Sequence, residues 1–173
     1  PPIGAGFVLK DLLDSDCVPY TRLNQIYRQS SGNTIVESAY AINRGEMPNL
    51  EGVSEEFSFI PVKSYDMMMK AIIDVYKREQ ETLEDELDIQ IISPMRRGEA
   101  GSTLISQYVQ QAVNPPDSYK GETRVNGITY RVGDKVIQIL NDYELEVFNG
   151  EIGVIYAITR TDIYIRFIHK EVR

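Results

Sequence analysis

The sequence predicts a two-part chain: a parallel α/β layer first, then a small antiparallel β-barrel. Three observations predict it. Residues 1–113 alternate helix-period stretches with short extended apolar ones, the pattern of a parallel sheet covered by helices. Residues 120–173 consist almost entirely of short strand-like runs separated by turn signals, the pattern of a small barrel. Between them, Asn114-Pro115-Pro116-Asp117-Ser118 joins a helix stop to a linker. The expected domains are therefore residues 1–116 and residues 120–173.

In the first part, Gly6 to Leu13 is expected to be a short helix with Val8, Leu9, Leu12 and Leu13 on one face, and Val18 to Leu23 is expected to be extended. Thr34 and Glu37 fit a capping box for a helix over Asn33 to Arg44. Its apolar face is Ile35, Ala39 and Ile42, and Gly45 and Pro48 end it. Phe57 to Val62 is expected to be a strand. Tyr65 to Leu87 is expected to be a long helix burying Met68, Ile72, Val75, Tyr76 and Leu83. The Met67-Met68-Met69 triplet covers most of the helix circumference, so it is read as core and gap filling. Six of the ten residues from Glu79 to Asp88 are acidic, which suits a solvated helix end. Ile89 to Ile92 is apolar except for Gln90, as in a parallel strand buried on both faces. Ser102 to Ala112 is expected to be the last helix, with Leu104, Ile105, Tyr108 and Val109 inward.

In the second part, Asn126-Gly127 is a hairpin signal, and Ile128, Tyr130 and Val132 then alternate with polar residues. Gly133-Asp134 is a second turn. Val136 to Leu140, Ile152 to Ile158 and Ile163 to Ile168 are further strands. The length of this part suits an SH3-like barrel or a partly open relative.

Composition narrows the function. The chain has 173 residues, 42% apolar and 25% charged, which is enough for a core and unlike a disordered segment. No apolar run approaches the roughly 18 residues of a membrane helix, and no secretory pattern opens the chain, so a cytoplasmic setting is expected. The start at Pro1-Pro2, without methionine, is expected to be a processing or cloning boundary. One cysteine, Cys17, excludes an internal disulfide and a Cys-rich zinc site. One histidine, His169, excludes a multi-His metal site. Both are expected to be structural, Cys17 as a small buried hydrophobe. With 26 acids against 18 bases the net charge is −8, which argues against attraction of nucleic acid over the whole surface but leaves room for a local basic groove. No glycine precedes a lysine, so no G-x-x-x-x-G-K-[ST] phosphate loop is present.

Three segments could carry chemistry. Asn24 to Gln29 places Tyr27, Arg28 and Gln29 in a polar stretch between an extended piece and a helix. There an arginine can reach phosphate through its two-donor fork. A surface ion pair is the plainer alternative. Ser93 to Ser102 holds the only Arg-Arg pair, two glycines and two serines, and leads from an apolar strand into a helix whose first amides could bind an anion. An ordinary strand-to-helix connection would read the same way. Asn141, Tyr143, Phe148 and Asn149 lie in barrel loops where an aromatic ring could stack on a base. The alternative is turn chemistry plus a core phenylalanine.

The order of these segments resembles the RecD-like DNA helicases of superfamily 1, the exodeoxyribonuclease V alpha-subunit family. Pro1-Pro2-Ile3-Gly4-Ala5-Gly6 is similar to the stretch just C-terminal to the family's motif III. Leu23 to Ser30, with Ile35 to Gly45, resembles motif IV and its helix. Ile89 to Gly101 (IQIISPMRRGEAG) resembles the family's strand and loop before the next helix. Gly133-Asp134-Lys135-Val136, Asn141-Asp142-Tyr143 and Val147 to Gly153 resemble its barrel insertion.

The resemblance implies a partial second RecA-like motor domain over residues 1–116 and an inserted SH3-like barrel over 120–173, itself expected to be incomplete. It implies ATP and Mg²⁺ as cofactors of the full-length parent, none held by this chain alone. It implies single-stranded DNA, the first motor domain and other recombination subunits as partners, with no membrane. Arg28 matches the motif IV arginine that meets the γ-phosphate, flanked by Tyr27 and Gln29. Ser93, Pro94, Met95, Arg96 and Arg97 match a loop facing the single strand or the nucleotide, and Asn141, Tyr143 and Asn149 are further candidates for DNA contact. The phosphate loop and the acidic Mg²⁺ motif would lie upstream, and motifs V and VI downstream. Chain 1–173 is thus expected neither to hydrolyse ATP nor to unwind DNA. The rival expectation is a non-enzymatic module presenting a small barrel to a protein partner, which the acidic charge favours mildly.

Overall fold

A computed structural model describes residues 6–23, 34–50 and 57–172. The chain forms two compact units, Pro1–Phe59 and Ile60–Arg173.

The first unit contains helices α1 (Val8–Asp14) and α2 (Thr34–Asn43). Helix α1 buries none of its residues, and Val8, Leu9 and Leu12 are exposed. The sequence places the helix correctly, but its apolar face has no cover among the described residues. Helix α2 ends in a Schellman motif. Gly45 takes φ +77° and its N–H donates to Ile42 O (3.0 Å), while Glu46 N–H donates to Ala41 O (2.8 Å). Val18 to Leu23 forms no strand.

The second unit starts from a helix pair, α3 (Tyr65–Thr82) and α4 (Ser102–Val113). Ser64 caps α3 by accepting the Met67 N–H (3.3 Å). Met69, Ile105 and Val109 form the buried core between the two helices, with Met68, Ile72, Tyr76 and Ile91 packed around it. Met67 is exposed, so the methionine triplet divides between core and surface. Leu83 and Tyr108, expected inward, are both more than two-fifths exposed.

Helix α3 stops at Thr82, short of the expected Leu87, and a 3₁₀ turn occupies Glu86–Asp88. The acidic run explains the stop. It places negative charge at the negative end of the helix dipole, with no basic residue in the last turn. Asp85 then starts the 3₁₀ turn by accepting the Leu87 N–H (2.8 Å).

The expected parallel sheet is not present among the described residues. Phe57 to Val62 and Ile89 to Ile92 carry no ladder. A strand needs a neighbour to take its hydrogen bonds. Without one, Ile89 and Ile91 turn partly inward beside α3 while Ile92 is 88% exposed.

The β-region is antiparallel throughout. Strands β1 (Glu122–Val125) and β2 (Ile128–Arg131) form a hairpin whose turn residues Asn126 and Gly127 both have positive φ, the primed turn that the Asn-Gly pair favours. Strands β3 (Lys135–Ile137), β4 (Ile152–Ile158), β5 (Ile163–Phe167) and β6 (Glu171–Val172) form a sheet in that order. The two sheets share no ladder, so the barrel is not closed. Strand β3 is shorter than expected, and β6 lies beyond the strands the pattern predicts. Val147, Ile155 and Phe167 are the buried apolar residues here. Gly153 permits the close β4–β5 approach: a Cβ there would lie 2.7 Å from Ile165 Cγ2.

Candidate nucleic-acid interface

Tyr27, Arg28 and Gln29 lie outside the described residues. The other two candidate segments lie in the second unit.

The 93–101 loop is a folded connection rather than a slack one. The Ser93 hydroxyl sits within 2.8 Å of Met95 O and 2.5 Å of Ala100 O, and so ties the two arms together. Met95 and Gly101 meet as an isolated bridge, and Gly98 turns the chain at φ +90°. Gly101 has no room for a side chain, because a Cβ would lie 2.6 Å from the Arg97 carbonyl carbon. Pro94, Arg96 and Arg97 stand at the surface, and Met95 is half exposed. Neither arginine makes an ion pair among the described residues.

The helix start behind the loop differs from the expected anion cradle. Ser102 N–H donates to Met95 O (2.9 Å), Thr103 N–H to Arg96 O (3.3 Å) and Leu104 N–H to Gly101 O (3.1 Å). The first amides of α4 are already bonded to the loop's own carbonyls. The cationic groups this loop offers are therefore the two guanidinium ends.

The second segment is a tight turn between β3 and β4. Asp142 and Val147 exchange both backbone hydrogen bonds (2.8 and 2.9 Å). The Asp142 carboxylate accepts the N–H groups of Glu144 (3.0 Å) and Leu145 (2.9 Å). Asn141 Oδ1 accepts the Asn149 N–H (2.9 Å), and Asn141 Nδ2 donates to the Tyr143 hydroxyl (3.3 Å). Tyr143 stands edge-on to Phe148, with ring centroids 6.1 Å apart. Asn141, Tyr143 and Asn149 are thus brought together. Phe148 departs from the core reading: it is 44% exposed, and Val147 at 1% takes the buried place instead. The turn presents two accessible rings and an amide, groups suited to stacking and hydrogen bonding with a nucleobase.

A partly buried polar cluster, missed in the sequence, mounts the β-region on α4. The Asp134 carboxylate accepts from Gln110 Nε2 (2.5 Å), Asn114 Nδ2 (2.8 Å) and the Arg131 N–H (2.7 Å). Arg131, 4% exposed, donates to Asn114 O (3.1 Å) and pairs with Glu122. Lys135 reaches the carbonyls of Leu87 and Ile89 from the start of β3. Gly133-Asp134 signals only a turn, and nothing in the linear pattern links it to a glutamine 24 residues earlier. A cavity of about 360 Å³ lies beside this mount, between α4, residues 89–93 and the start of β3.

Cys17 is exposed, not buried, and its thiol donates to the Ser15 carbonyl (3.3 Å). His169 is exposed in the turn between β5 and β6 rather than on a strand. Among the described residues no group of three metal-capable side chains comes together, and no helix is long and apolar enough to cross a membrane.

Two comparisons bear on this geometry. Residues 105–167 match the family model described as the SH3 domain of ATP-dependent RecD-like DNA helicases, which spans α4 from Ile105, the mount and the turn. A curated relative, the ATP-dependent RecD2 DNA helicase of Deinococcus radiodurans, is 30% identical over 155 residues. That alignment covers 90% of this chain and 20% of the relative's length. Residues 105–167 thus belong to the SH3 domain family of RecD-like DNA helicases, and nine-tenths of the chain is similar to a fifth of one such helicase.

Proposed function

We propose that this chain is part of an ATP-dependent DNA helicase that moves along single-stranded DNA and opens duplex, 5′ to 3′ by analogy with its family, in DNA repair or recombination. In this reading residues 1–116 belong to the second RecA-like motor domain and residues 120–173 to its SH3-like insertion. The full-length parent binds ATP with Mg²⁺. Tyr27, Arg28 and Gln29 are this chain's share of the nucleotide site, and the metal is held by residues outside it.

One observation carries the DNA-binding part of the reading. Arg96 and Arg97 are exposed, and make no ion pair among the described residues, on a loop that Ser93 braces against the start of α4. Two such cations on a rigid support attract phosphates even on a protein of net charge −8, because the attraction is local once salt screens beyond about 10 Å. The turn with Tyr143 and Asn149 adds sequence-tolerant stacking.

The test is fluorescence anisotropy of a labelled single-stranded oligonucleotide with chain 1–173 over a salt series. Binding should weaken as salt rises. Replacing both arginines by alanine should lower the slope of log K against log[salt] by about 1.4, about 0.7 for each lost phosphate contact. Binding that ignores both salt and the double substitution would reject this loop as a DNA contact and favour a protein-binding module.

A further inference from the structure

Among the described residues, Asp134 is the side chain that accepts hydrogen bonds both from the end of α4 and from the end of β2. On one side are Gln110 and Asn114, the last turn and the cap of α4; on the other is the Arg131 backbone at the end of β2. Its own backbone continues the lock. The Asp134 carbonyl accepts the Ile155 N–H (2.9 Å) of the central strand β4, and the next residue, Lys135, holds the carbonyls of Leu87 and Ile89. Four segments therefore converge on two consecutive residues. A carboxylate meeting three donors in a half-buried site fixes geometry more tightly than apolar contact, because each bond is directional and each donor left unpaired is costly. Helix α4 is preceded by the Arg96–Arg97 loop. Strand β3, which starts at Lys135, leads into the Asn141–Asn149 turn.

We infer that Asp134 is a positioning residue. It makes α4 and the β-region one rigid body, so that the Arg96–Arg97 loop and the Tyr143 turn grip the same DNA strand together. The inference rests on the reading of both surfaces as DNA contacts. Its physical content is avidity: two weak contacts held at a fixed separation bind a strand long enough to span them far better than either binds alone.

The test has two arms, both on chain 1–173. In the first, Cys17→Ser is combined with spin labels at Gln107→Cys on α4 and Arg160→Cys in the β4–β5 turn. The unaltered mount should give one narrow distance distribution, and Asp134→Asn should broaden it. In the second, affinities for oligothymidines of about 5 and about 20 nucleotides are compared. The unaltered chain should prefer the longer strand at least tenfold, and Asp134→Asn should lose that preference while binding the short strand as before. Gln110→Ala removes one donor from a partly buried position and repeats both arms should Asp134→Asn fail to fold. A distribution that stays narrow, a length preference that survives broadening, or an unaltered chain indifferent to length would each overturn the inference. Should Arg96→Ala/Arg97→Ala and Tyr143→Ala bind DNA like the unaltered chain, the proposed DNA contacts fail, and the label distances still report separately on the mount.

Discussion

Gly101 gives the sharpest test at the scale of a single residue. A methyl group there would strike the Arg97 backbone at 2.6 Å, and backbone cannot step aside as a side-chain end can. Gly101→Ala should destabilise the second unit by about 1–3 kcal/mol, read from a urea midpoint, and weaken DNA binding with it. In the first unit, Glu46 takes a bidentate pair of bonds from Arg44 (3.0 and 2.7 Å), which hold its carboxyl below the usual glutamate range. A depressed carboxylate contributes stability above its unfolded pKa and loses it as pH falls through the folded one. An NMR titration should therefore place the Glu46 midpoint below that of an ordinary glutamate, and Arg44→Ala should return it to the ordinary range. Legibility at this scale is uneven. The Arg-Arg pair announces itself, since two adjacent cations between an apolar run and a helix stand out in so acidic a chain. The capture of the α4 amides by Met95 and Arg96 carbonyls does not, because any residue type can supply a carbonyl.

Among elements, the helices are legible where periodicity and a stop signal agree, as in α2, which Gly45 ends, and α4, which Asn114 and Pro115 follow. Helix α3 shows what overrides periodicity. Its apolar spacing continues to Leu83 and Leu87, but the acidic run works against the dipole and the helix stops at Thr82. Glu81→Lys should therefore stabilise the second unit by about 0.5 kcal/mol, seen as a higher Tm, with the gain shrinking in high salt. The strands divide along a physical line. The β1–β2 hairpin is legible because its turn and its partner lie within one short stretch. Phe57 to Val62 and Ile89 to Ile92 look like strands by composition, but strand identity depends on a neighbour that composition cannot supply. Gly127→Ala would force a Cβ into φ +82° and should cost the hairpin about 1 kcal/mol by urea unfolding, although open space surrounds it.

For the whole molecule, charge is unevenly spread. Residues 120–173 carry as many acids as bases, so the net −8 belongs to the preceding residues. The overall sign is thus a poor guide to what the β-region binds. Chain 1–173 should show no DNA-stimulated ATP turnover above a buffer blank. In the full-length parent, Arg28→Ala should cut turnover by a factor of about 10³ or more while nucleotide binding is largely kept, the signature of an interaction made in the transition state. The bonding of the first α4 amides within their own loop has a consequence for movement. A ring of fixed amides would hold a phosphate at one address and resist letting go. Guanidinium groups on jointed stems can follow a phosphate, release it and take the next without the protein backbone rearranging. In the proposed helicase, such a contact would hold a strand without stopping its passage.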